Sequence, residues 1–132
     1  REETGARGRG RSILVVDDEE DLAETVESLL RARGYRMHKV HDGHAALRVA
    51  AEVRPDLILL DYELPEMDGL QVIAALKKSA ATRDIPILLT TASRVTMKEI
   101  SRADGFLAKP FHEKLLYEVV ERILGLHKES DS

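Results

Sequence analysis

The chain contains no cysteine, so disulfides, thiolate metal sites and cysteine nucleophiles are excluded. Long apolar runs are missing as well. Ile13-Leu14-Val15-Val16 and Leu57-Ile58-Leu59-Leu60 are typical, against the roughly twenty residues that a membrane span needs. The chain is therefore expected to be soluble, without membrane insertion. It opens with no signal-peptide pattern, and a cytoplasmic location is expected. Basic charge is not in excess. The net charge of −4 argues against direct binding of nucleic acid, whose electrostatic footprint would be positive. No G-x-G-x-x-G and no P-loop follows the first apolar run, which disfavours a nucleotide-binding fold. What is present suits one compact domain: 132 residues, 43% of them hydrophobic and 33% charged, with no room for a second domain. The start at Arg1 in place of Met leans toward a piece cut from something longer.

Residues 1–11 are polar, rich in Gly and Arg, and aperiodic; they read as a flexible tail or linker, with an RNA-binding arm as the sharper but less favoured reading. From Ser12 onward, strands and helices alternate. Apolar runs at Ile13 to Val16, Leu57 to Leu60, Ile87 to Leu89 and Phe106 to Ala108 predict strands, and Tyr35 to Val40 reads as a further one. Helices are predicted at about Glu20 to Arg33, His44 to Val53, Leu70 to Ser79, Met97 to Ala103 and Glu113 to Leu126. Gly34 stops the first. Thr96 and Glu99 have capping-box spacing before the fourth, and Leu115, Leu116, Val119, Val120, Ile123 and Leu124 form a broad apolar stripe on the last. Strands that are nearly continuous apolar runs are covered on both faces, so the fold class is α/β, a doubly wound parallel sheet with helices on either side.

In such sheets, ligands bind beyond the carboxyl ends of the strands. The first strand ends on Asp17 and Asp18, the third on Asp61, the fourth on Thr91 and the fifth on Lys109. Three carboxylates, a hydroxyl and an ammonium are thus predicted to share one crevice. Crowded carboxylates need a cation, and an oxygen-only donor set selects a hard divalent ion, Mg²⁺ (or Mn²⁺). With its charge shielded, Asp61 could attack phosphorus in line, while the metal, Lys109 and Thr91 meet the charge on the phosphoryl oxygens. Each residue taken alone has a plainer role. Asp17 and Asp18 before a helix could serve as caps, and Asp61 could close a turn. Their conjunction at the tips of one sheet favours the chemical reading.

Four motifs in order, ILVVDDE, DLILLDYELPEMDG, ILLTTAS and GFLAKPF, resemble those of the response-regulator receiver family over Ser12 to Leu126. The resemblance implies a five-stranded sheet of order 2-1-3-4-5, with domain limits of 12–126 and a C-terminal tail at 127–132. It implies that Asp61 accepts a phosphoryl group from a histidine kinase or a histidine phosphotransfer protein. Asp18 would ligate Mg²⁺ directly, Asp17 mainly through water, and the Glu63 backbone carbonyl would complete the protein ligands. Thr91 and Phe106 would be the switch pair, Lys109 would pair with the phosphate, and Lys109-Pro110 would be cis. Glu63 and Ser93 flank the site and could tune phosphoryl lifetime, in a direction the sequence does not give. The chain would be a signalling phosphoacceptor, not an enzyme, assisting its own phosphorylation and dephosphorylation. Its output would go to a downstream protein target or a covalently linked effector or kinase domain, with a homodimer possible.

The stretch between Thr91 and Lys109 is shorter than the family pattern by about one helical turn, so a stubby fourth helix is expected. That shortening is the one feature favouring the alternative, a pseudo-receiver acting as a phosphorylation-independent interaction module. A phosphatase with Asp61 as nucleophile fits less well, because Asp61-Tyr62-Glu63 has no second Asp two residues on. The histidines at 38, 41, 44, 112 and 127 are read as surface or edge residues rather than ligands.

Overall fold

In the computed structural model, residues 10–126 are described; most of the expected N-terminal linker, the 127–132 tail and His127 lie outside them. The elements alternate as β1 (Ser12–Val16), α1 (Glu20–Arg31), β2 (Arg36–Val40), α2 (Gly43–Val53), β3 (Leu57–Asp61), α3 (Gly69–Lys78), β4 (Ile87–Thr91), α4 (Met97–Ile100), β5 (Gly105–Ala108) and α5 (Glu113–Leu124). All strands pair in parallel, in the order β2-β1-β3-β4-β5. This is the doubly wound fold that the motifs implied.

The two-residue period of a strand sorts the apolar runs onto two faces. Leu14, Val16, Ile58, Leu60, Ile87 and Leu89 pack with Ala46 and Ala50 of α2 and with Val72, Ile73 and Leu76 of α3. Ile13, Val15, Leu57, Leu59, Leu88 and Leu107 pack with Ala23, Val26 and Leu30 of α1 and with Leu116 and Val120 of α5. β1, β3 and β4 are buried along their whole length, while the edge strand β2 is only half-buried. Each fully buried Leu, Ile or Val contributes roughly 1.5–3 kcal/mol, so the central strands are held by both layers at once. Their carboxyl tips inherit that rigidity.

Three details depart from the sequence reading. α1 ends at Arg31, and the chain turns through Gly34 at φ +97 before β2 begins at Arg36. α4 ends at Ile100, short of Ala103, has no fully buried residue, and is followed four residues later by Asp104, which bonds Ile87 through its N–H and its carboxylate. Leu115, expected inward, is 44% exposed. The buried line of α5 runs through Leu116 and Val120, and Leu115 lies off that line in the first turn.

Candidate functional site

Parallel pairing brings the strand ends level: Asp61 of β3 stands in register with Thr90 of β4, and Thr91 with Ala108 of β5. Backbone bonds carry that register past the strand ends, from Tyr62 N–H to the Thr90 carbonyl (2.8 Å) and from Lys109 N–H to the Thr91 carbonyl (2.8 Å). The next bond is cis, between Lys109 and Pro110. Behind Asp61, a Cβ on Gly69 would stand 2.8 Å from Tyr62 Cα and 3.0 Å from the Asp61 carbonyl oxygen. Only glycine lets α3 begin so close to the strand tip.

Asp17, Asp18 and Asp61 come together, each offering a carboxylate oxygen within 4.8 Å of the others. Asp18 is exposed; Asp17 and Asp61 are buried, Asp61 with only 3% of its surface exposed. Asp17 does not cap α1. Its Oδ1 accepts from Glu19 N–H (2.9 Å) and its Oδ2 from Lys109 Nζ (3.0 Å). Lys109 Nζ also lies 3.4 Å from Asp61 Oδ1, which accepts from Glu63 N–H at 3.1 Å. One ammonium therefore bridges acids that are 44 residues apart in sequence.

A single lysine does not neutralise this tip. Burial, then the neighbouring Asp17 charge, raises the Asp61 carboxyl from 3.8 to about 7, with Lys109 and the Glu63 amide opposing. Burial works against the charge on Lys109, but its bond to Asp17 and the Asp61 charge prevail and raise its pKa. The remaining negative excess, borne entirely by oxygen donors, fits a hard divalent cation.

Thr91 is buried, and its hydroxyl donates to the Glu63 carboxylate. The same carboxylate accepts from Ser93 N–H (3.1 Å) and Ala92 N–H (3.3 Å). Burial would raise Glu63, but the bonds from Ser93, Thr91 and Ala92 outweigh it and hold the group down at about 2. Its side chain also interacts with that of Asp61, which favours a neutral Asp61 beside a charged Glu63. The sequence reading placed the Glu63 backbone at the metal and set Glu63 and Ser93 beside the site, but missed the hydrogen bonds that join the Glu63 carboxylate to Thr91, Ala92 and Ser93. The available signal was its position two residues after Asp61; its partners lie 28 to 30 residues onward. Also missed was His41, whose Nδ1 lies 3.0 Å from the Asp17 carbonyl oxygen. Phe106 is half-buried on β5, between exposed Asp104 and buried Leu107.

A parallel sheet of this order, with acids and a lysine gathered at its carboxyl tips, defines a receiver-type domain. The family model of the response regulator receiver domain matches residues 13–121, and the chain belongs to that family.

Among its relatives, the chain is 40% identical over 119 residues to the transcriptional regulatory protein PrrA of Mycobacterium leprae, covering 86% of this chain and 48% of that protein. It is 38% identical over 123 residues to the DNA-binding response regulator MtrA of Mycobacterium tuberculosis H37Rv, covering 90% of this chain and 51% of that one. The chain thus spans about half the length of the curated relatives it matches. Among solved structures, it is similar to the receiver domain of the sensor histidine kinase PA1611 from Pseudomonas aeruginosa PAO1, which has a magnesium ion coordinated in its active site cleft. The TM-score is 0.81 at 32% identity, over 88% of this chain and 98% of that one. The signal receiver domain of a histidine kinase from Syntrophus aciditrophicus superposes with a TM-score of 0.79 at 34% identity, over 93% and 96% of the two chains.

Proposed function

We propose that residues 12–126 form a receiver domain that takes a phosphoryl group onto Asp61 and thereby switches an interaction surface. The observation that carries this reading is a buried Asp61 with Lys109 at 3.4 Å and two further acids within reach. An Asp61 oxygen attacks phosphorus as the donor's leaving group departs, leaving an acyl phosphate on Asp61. Lys109 Nζ would meet one phosphoryl oxygen, and the Thr91 hydroxyl, once turned from Glu63, another. Asp18, Asp61 and the Glu63 carbonyl, with Asp17 mainly through water, would hold Mg²⁺ (or Mn²⁺), which would supply positive charge that favours ionised Asp61 and offsets the phosphoryl oxygens. Thr91 and Phe106 form the switch pair that carries the change toward β5.

The donor is a histidine kinase or histidine phosphotransfer protein in the cytoplasm. No helix among the described residues is long and apolar enough to cross a membrane. The output is a downstream protein or a covalently linked effector or kinase domain, with homodimerisation as one form the switched surface can take. Nucleic acid is not contacted directly by this domain.

Acetyl phosphate with Mg²⁺ should label the chain, and Asp61→Asn should reduce the label at least a hundredfold, about the scale of losing the attacking group. Full labelling of the variant would overturn the assignment. A wild-type chain that folds and takes no label would instead be a phosphorylation-independent interaction module.

A further inference from the structure

We infer that the Glu63 carboxylate is an internal occupant of the phosphoryl site's donors, holding Thr91 and the start of the β4–α4 segment until a phosphoryl group on Asp61 displaces it. The inference rests on the reading of Asp61 as phosphoacceptor.

Three donors converge on Glu63: the Thr91 hydroxyl and the amides of Ala92 and Ser93. They belong to the strand end that the proposed chemistry requires. A hydroxyl carries one proton and can donate to one acceptor at a time. While Thr91 donates to Glu63, it cannot donate to a phosphoryl oxygen. The two acceptors are also alike in charge. An acyl phosphate on Asp61 carries about −1.5 to −2 where the free carboxylate carries at most one negative charge, next to Glu63, whose N–H bonds Asp61 Oδ1 at 3.1 Å. Competition for the hydroxyl and repulsion between anions act in the same direction. Glu63 leaves, and Thr91 turns to the phosphoryl group.

What Glu63 releases is a segment otherwise held by polar bonds of its own, among them Ser93 N–H to the Thr91 hydroxyl oxygen at 2.9 Å and the Thr96–Glu99 capping box. α4 buries no residue, and its other tie to the β3–α3 loop is a bond of 3.4 Å from the Tyr62 hydroxyl to Glu99. The two residues after Asp61 thus fasten the two ends of one segment, Glu63 at 91–93 and Tyr62 at Glu99. Loss of the first tie leaves the second as a pivot. The stubby helix is then freed by a polar exchange, with no fully buried side chain of its own to pull out.

The test compares wild type, Glu63→Gln, Glu63→Ala, Thr91→Ala and the Glu63→Ala/Thr91→Ala double variant. Two measurements are made: the initial rate of labelling by acetyl phosphate with Mg²⁺, and backbone amide exchange in the unphosphorylated proteins. Glu63→Ala should label about three- to tenfold faster than wild type, the effect of removing roughly one competing hydrogen bond. Glu63→Gln should fall between the two. In the Thr91→Ala background most of that gain should vanish, because the contest is over the Thr91 hydroxyl. The amides of Ala92 and Ser93 should exchange several-fold faster in Glu63→Ala while those of α3 stay unchanged, which also shows that the variant is folded. An unchanged or slower labelling rate in Glu63→Ala would overturn the inference. So would a gain of equal size without Thr91, or unchanged exchange at Ala92 and Ser93. If wild type takes no label, the phosphoacceptor reading fails, while the exchange data still decide whether Glu63 holds the segment.

Discussion

Helices α3 and α4 both open on a complete capping box, Asp68 with Gln71 in one and Thr96 with Glu99 in the other, yet α3 runs for ten residues and α4 for four. The difference lies beneath them. α3 buries Val72, Ile73 and Leu76 against β1, β3 and β4, whereas α4 buries nothing and leaves Met97 79% exposed. A cap satisfies the first free amides and starts a helix. Short helices are marginal in water, and burial of an apolar face extends them. In this domain α3 belongs to the core, while α4 hangs from polar contacts around the strand tips. The contrast separates a scaffold from a part free to respond.

Truncating the buried face is the severest way to break this comparison. Leu76→Ala should lower the unfolding free energy by about 2–5 kcal/mol in urea titrations, and Met97→Ala should stay within about 0.5 kcal/mol. A similar loss at Met97 would mean that α4 belongs to the packed core after all.

Polar contacts at the tip should also respond to pH where apolar packing does not. The folded chain holds a proton on Asp61 more tightly than the unfolded chain, with a pKa of about 7 against 3.8. This contribution to stability is complete below about pH 4 and is lost as pH rises through 7. In metal-free buffer, wild type should lose on the order of 1–2 kcal/mol between pH 5 and 8, once solvent screening at the tip is allowed for. Asp61→Asn should flatten that slope, while Leu76→Ala should shift the whole curve down and keep it. An unaltered slope in Asp61→Asn would show that the tip is not its source.

The smallest effect is the most discriminating. Asp68→Ala should cost about 1 kcal/mol of global stability, because its cap belongs to a helix embedded in the core. Thr96→Ala should change global stability by less than about 0.5 kcal/mol and speed amide exchange over 97–103 alone. Equal global losses at the two caps would erase the distinction between the helices.

Much of this was legible before any coordinates. Ile13 to Val16 and Leu57 to Leu60 are strands covered on both faces, and a run with no polar alternation has few other uses. Once those runs were placed in one parallel sheet, Asp17, Asp18, Asp61, Thr91 and Lys109 had to share an edge, since each ends its strand or lies within two residues of its end. Helix ends were harder to read. The pattern over Met97 to Ala103 is compatible with a longer helix, yet it ends at Ile100, with no fully buried residue and with Asp104 bonded to Ile87 beyond it. Leu115 fits the apolar spacing of α5 as well as Leu116 does; which of them faces the sheet depends on how the helix is rotated, and periodicity leaves that angle open. The bonds of the Glu63 side chain were illegible for a different reason, although the family resemblance already set Glu63 and Ser93 beside the site. Its partners are set by the tertiary path of β4, and no local spacing points from residue 63 to residues 91–93.

Gly69 gives the strand tip its mechanical character. With no space for a single methyl group between the first turn of α3 and the Asp61 carbonyl, strand and helix meet without slack, like a rod seated in a socket. Any shift of the Asp61 backbone along the strand axis would have to push α3 ahead of it. Motion that leaves this joint undisturbed has to travel sideways, across the sheet toward β4 and β5.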